Sequence, residues 1–72
     1  MDSIKLNITI QNGEEQEIKN IEISYDNAVE IATLINNKEM DNVINKFKNL
    51  KDINGVAHNI DFTKVMQFEF IK

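Results

Sequence analysis

The one histidine of the chain, His58, lies in the stretch 52–70, DINGVAHNIDFTKVMQFEF, between Asp52 and Asp61. An imidazole near carboxylates can act as a general base or as a metal ligand. Zinc needs three or four ligands, and with one histidine and no cysteine this chain would have to hold a metal mainly through carboxylates. Asp52 and Asp61 show no recognised loop spacing, and the alternating oxygen ligands of an EF-hand are absent. Candidate nucleophiles are Ser3 near the N-terminus, Ser24 at a strand-to-helix junction and Thr63 in a turn, none of them in a G-x-S-x-G elbow. Gly13 and Gly55 stand alone, so no glycine-rich loop cradles a phosphate. Glu14, Glu15 and Glu17 cluster at a hairpin tip, where solvation gives no basis for dividing them into acid and base. This inventory predicts a protein that is not an enzyme and carries no cofactor or metal.

Charge narrows the partners. The net charge is −4, which gives no general attraction to phosphate backbones or anionic lipid. The basic residues are all lysine, so the bidentate fork that reads guanine or phosphate is missing. The one basic patch is NKFKNLK, with Lys46, Lys48 and Lys51 around Phe47. A nucleic-acid-associated regulator could use those lysines, but Phe47 falls on an apolar helix stripe and the lysines read as a solvated helix end. No apolar run exceeds two residues, far short of the roughly 20 that span a bilayer, and Met1-Asp2-Ser3 lacks a basic leader region. The absence of cysteine fits a reducing setting, so a cytoplasmic location is expected.

A chain of 72 residues has room for one domain, 1–72, with a thin core. Residues 4–11, IKLNITIQ, alternate without error, placing Ile4, Leu6, Ile8 and Ile10 on one face of a strand. Asn12-Gly13 then predicts a hairpin into a second strand at about 16–24. An even loop puts Ile21 and Ile23 on the face of the first strand and Ile18 on the other, and an odd loop does the reverse. A bulge near Lys19-Asn20 would reconcile all three. Asp26 or Asn27 can cap a helix carrying Ala28, Ile31, Ala32 and Ile35 on one stripe, widened by Leu34 and broken at Asn36-Asn37. A second helix starts near Lys38 and carries Met40, Val43, Ile44 and Phe47. Asn54-Gly55 predicts a turn between short strands at 50–53 and 56–60, and the last strand is 65–71. A five-residue loop from Asp61 to Val65 would set Ile60 opposite Met66, His58 opposite Phe68 and Val56 opposite Phe70. The result is an α+β fold: an antiparallel sheet of four to five strands, built from a β-hairpin and a C-terminal two- or three-stranded meander, with two helices on one face.

Within that fold His58 reads as a structural residue at the sheet's inner face or margin, and Met66, Phe68 and Phe70 as core. Val65 and Ile71 fall off that phase, and if they lie on the open face they leave apolar surface at an edge strand, fit for a homodimer or another protein. Phe62 belongs to the same candidate surface. The acidic hairpin, with Glu14, Glu15, Glu17 and Glu22, is the other candidate contact.

The run IKLNITIQNGEEQ, followed by helices and then INGVAHNIDFTKVMQFEF, resembles the small α+β proteins of phages and mobile elements of AT-rich Gram-positive bacteria. Twelve isoleucines, eleven asparagines and eight lysines agree with such a genome. The resemblance implies a protein that binds and modulates a host or element-encoded protein, and it carries no site residue across.

Overall fold

The computed structural model describes residues 2–71. The alternating N-terminal segment becomes β1, Ser3–Asn12, and all four of its inward aliphatics, Ile4, Leu6, Ile8 and Ile10, are buried. β2, Glu15–Ser24, pairs with it antiparallel from Ile4 opposite Ile23 out to Asn12 opposite Glu15. Gly13-Glu14 is therefore a two-residue loop, and Gly13 takes φ +63° while Glu14 stays at negative φ. That is the pattern of a II′ turn, whose first central position requires glycine. The even loop sends Ile21 and Ile23 inward and Ile18 outward, and the pairing is unbroken at Lys19-Asn20, where a bulge had been one expectation.

The first helix, α1, is Tyr25–Asn36 and begins earlier than a cap at Asp26 or Asn27 would place it. Ser24 is the cap: its Oγ accepts the Asn27 backbone N–H at 3.1 Å, satisfying a donor that the helix itself leaves free. Ala28 and Ile31 are buried and Leu34 and Ile35 partly so, while Ala32 stays exposed. The helix closes with the Glu39 N–H bonded to the Leu34 carbonyl and the Lys38 N–H to the Ile35 carbonyl. These are the two bonds of a Schellman motif, and they put Lys38 at φ +60°. The second helix, α2, is Met40–Lys48, buries Val43 and Phe47, and leaves Met40 exposed.

Two short strands follow, β3 (Leu50–Lys51) and β4 (Ala57–His58), paired as Leu50 opposite His58 and Lys51 opposite Ala57. A 3₁₀ turn at Phe62–Lys64 leads into β5, Val65–Ile71. Here the expected meander gives way to a different pairing. β5 lies against β1, with Leu6 opposite Phe70 and Ile8 opposite Phe68, so the main sheet has the order β2-β1-β5 and β3-β4 forms a separate ribbon. The pairings of His58 with Phe68, Ile60 with Met66 and Val56 with Phe70 are thus not made. The reason is burial. Ile60 is fully buried with its N–H on the Phe47 carbonyl at 2.9 Å, and Asp61 then caps the 3₁₀ turn, so the chain leaves β4 without reversing beside it. Against β1, Phe68 joins Phe47, with ring centroids 6.0 Å apart, and Phe47 in turn meets Phe62 at 4.9 Å. A β-bulge sits between the Thr9 and Ile10 pairings, so Gln67 opposes Thr9, Val65 opposes Ile10, and Met66 is the extra residue. Met66, expected in the core, is 56% exposed, and Val65 is partly buried against the core instead of lying on the open face.

The fold is thus α+β, with an antiparallel three-stranded sheet, a two-stranded ribbon and two helices. Among the described residues every fully buried side chain is apolar, and no helix is long and apolar enough to cross a membrane.

Candidate interaction surfaces

Strand β2 changes character along its length. The positions on its inner face read Glu15, Glu17, Lys19, Ile21, Ile23, charged first and then apolar. The switch marks where cover ends: Ile21 and Ile23 are buried in the core, whereas Glu15 and Glu17 are exposed on the same side of the same strand. Lys19 Nζ lies 3.6 Å from Glu17 Oε2 on this bare segment. On the opposite face Ile18 is 65% exposed, across from Thr9. The outer end of the hairpin is therefore an arm carrying Glu14, Glu15 and Glu17, with one isolated aliphatic anchor. Glu22 is not part of it. It sits seven residues further along, about 24 Å from Glu15 in an extended strand, opposite Lys5 and accepting a hydrogen bond from Ser3 Oγ at 2.5 Å.

His58 is half-buried and Asp52 more so, their side chains 29% and 16% exposed. His58 Nε2 lies 2.9 Å from Asp52 Oδ2. An ionised carboxylate only accepts, so the proton of this bond is on Nε2. The other oxygen, Asp52 Oδ1, accepts the backbone N–H groups of Asn54 at 2.8 Å and Val56 at 3.0 Å, while the Gly55 N–H reaches the Asp52 carbonyl. Asp52 thus organises the whole β3-β4 turn, and Gly55, at φ +81°, supplies the left-handed residue it needs. The His58 hydrogen bond, followed by the two backbone donors, holds the Asp52 carboxyl below its ordinary value of 3.8, against the opposing cost of partial burial. The Asp61 carboxyl is lowered too, by the Thr63 hydroxyl and N–H, which both bond its Oδ1. Sequence reasoning placed His58 and Asp52 near one another without joining them. The spacing D-x-N-G was the available signal, because aspartate two residues before such a turn caps its N–H groups. Among the described residues no three His, Cys, Asp or Glu side chains gather where they could hold a metal ion.

The three lysines around Phe47 part company. Phe47 is fully buried, and Lys46 reaches back to α1, donating to Asn27 Oδ1 at 3.0 Å and Glu30 Oε1 at 2.8 Å. Lys46 therefore ties the helices together, and Lys48 and Lys51 stay exposed.

On the other side of the sheet, Ile71 lies on the open face opposite Lys5 and is 41% exposed, while Phe62 is partly buried in the aromatic cluster. Between β1 and β5 this open face has a notch of about 150 Å³, lined by Asn7, Thr9, Gln67, Phe68 and Glu69. Asn7 Oδ1 is buried there without a hydrogen-bond partner. Beside the inner face of β5, Phe70 joins Ile4, Tyr25, Ala28, Val29 and Ala32 around an apolar groove of about 190 Å³.

Comparison with protein-family models, with curated proteins and with solved structures finds no match to this chain.

Proposed function

We propose that this is a non-catalytic interaction module whose β1-β2 arm engages a basic patch on another protein. The observation that carries the reading is the bare stretch of β2, where charged residues occupy inner-face positions that β2 fills with isoleucine further along. Three glutamates in so short a span set up a negative field that steers a cationic surface, and Ile18, exposed on the opposite face of the arm, offers a separate apolar contact. Resemblance to the small proteins of phages and mobile elements makes that partner a host or element-encoded protein, bound and modulated by this one.

The test is retention of host proteins on the immobilised chain. Proteins held at low salt are released as ionic strength rises, and the double variant Glu14→Lys with Glu15→Lys does not hold them. Ile18→Ser weakens retention without changing its salt dependence. Retention that ignores both salt and the two lysines removes the arm from the interaction.

A further inference from the structure

The apolar core is complete on one side of the sheet and unfinished on the other. Its fully buried members come from β1, β2, both helices, Leu50 and Ile60, and none comes from β5. Val65, Phe68 and Phe70, together with the adjoining Phe62, are only partly buried. The outer edge of this strand beyond its bulge is also uncovered. The opposite edge strand, β2, carries charges along its length, and its Glu22 carbonyl is occupied by the Ile53 N–H at 2.9 Å. From Met66 to Ile71, by contrast, no backbone group outside the sheet bonds to β5 among the described residues, and Glu69 is the one charge in VMQFEFI. Monomeric sheet proteins blunt such edges with charges, proline, a bulge or a covering loop, and beyond the bulge at Met66 the stretch Gln67–Ile71 has only Glu69.

We propose that β5 pairs antiparallel with β5 of a second copy about a two-fold axis through Phe68, joining two three-stranded sheets into one of six strands. The strand's own sequence selects this occupant. Around Phe68 it is symmetric in kind, with Gln67 on one side and Glu69 on the other, both on the open face. The register sets Phe68 against Phe68 and Gln67 against Glu69 within the regular part of the strand, so aromatic meets aromatic and the two Glu69 carboxylates are not opposed. Moving the axis to Glu69 would place those carboxylates directly opposite one another. A perpendicular two-fold keeps both helix layers on one side, so Phe68 and Phe70 gain apolar neighbours where they are now half-covered. The bulge at Met66 leaves Gln67–Ile71 as the regular part of the strand, and the central pairs carry the specificity.

Sedimentation equilibrium across low-micromolar to near-millimolar concentrations tests the pairing, with two substitutions at the exposed Gln67. In the dimer, Gln67→Glu faces each new carboxylate with Glu69 of the other copy, and Gln67→Lys faces it with an ammonium. Two such pairs weaken or strengthen dimerisation by about 2- to 30-fold. A Gln67→Cys, Glu69→Cys double variant, in a chain with no other cysteine, becomes a covalent dimer on oxidation, because opposed residues lie within disulfide reach. A single-chain mass at every concentration overturns the proposal, as does a dimer indifferent to both charges at position 67. The arm of β2 lies at the other edge of the sheet, so Glu14→Lys with Glu15→Lys leaves the dimer intact, and the two ideas fail separately.

Discussion

The pairing of β5 with β1 makes Phe47 and Phe68 neighbours and leaves His58 outside the main sheet, and a double-mutant cycle can read this directly. Phe47 is fully buried, with its ring centroid 6.0 Å from that of Phe68 at an interplanar angle of 58°. Truncating it to alanine would cost about 3–5 kcal/mol, against a total stability of about 4–11 kcal/mol for a domain of this length. Leucine is the better probe, since it keeps most of the volume, removes the ring, and leaves a folded protein to measure. Tilted aromatic pairs contribute about 0.5–1.5 kcal/mol beyond their area. The cycle of Phe47→Leu and Phe68→Leu therefore shows a coupling of that size in urea denaturation. With a slope near 1 kcal/mol/M for so small a domain, this is a departure of roughly 1 M from additive midpoints. His58→Ala combined with Phe68→Leu, in contrast, is additive within about 0.5 kcal/mol, because His58 pairs with Leu50 in the β3-β4 ribbon. Coupling between His58 and Phe68 with none between Phe47 and Phe68 would restore the C-terminal meander and refute the sheet order argued above.

Three further outcomes follow from individual residues. Lys38 occupies a left-handed position that disfavours any residue with a Cβ, so Lys38→Gly stabilises by about 0.5–1 kcal/mol, read as a higher thermal midpoint; an unchanged or lower midpoint contradicts the Schellman reading. Asn7→Val removes an amide oxygen buried without a partner from the central strand and favours strand geometry. It raises stability by about 1–2 kcal/mol, and a loss of stability would mean that Asn7 has a partner in solution. Asp52 ionises more readily folded than unfolded, so its contribution is complete above its ordinary value of 3.8 and is lost as pH falls through the lower folded value. Asp52→Asn keeps the turn's acceptor oxygen and removes that titration, so it flattens the acid limb of the stability profile. Parallel limbs for the variant and the wild type would show that the His58 bond does not hold the carboxyl down.

Much of the fold is written in short-range pattern. The alternation in residues 4–11 set both the inner face of β1 and its burial, and Gly13 set the hairpin. Where two local signals competed, the structure chose between them. Ser24 capped α1 ahead of Asp26 and Asn27 because it stands at the end of β2 with its hydroxyl already beside the first free N–H. Of the candidate surface residues, Glu14, Glu15 and Glu17 gather on the arm as their spacing implied, while Glu22 is apart and Val65 is turned inward by the bulge at Met66.

What the sequence by itself determined were net charge and the properties that depend on neighbours within about ten residues: the phase of β1, the turn positions and most of each helix stripe. What only the tertiary structure decided was which strand β5 joins, that Lys46 is spent on Glu30, and that the sheet has one guarded and one unguarded edge. A strand's periodicity specifies the face it buries but not the strand beside it, because the hydrogen-bonding groups of every backbone are the same. The partner is settled by the burial of Phe68 against Phe47 and Ile8, residues that lie far from it in sequence.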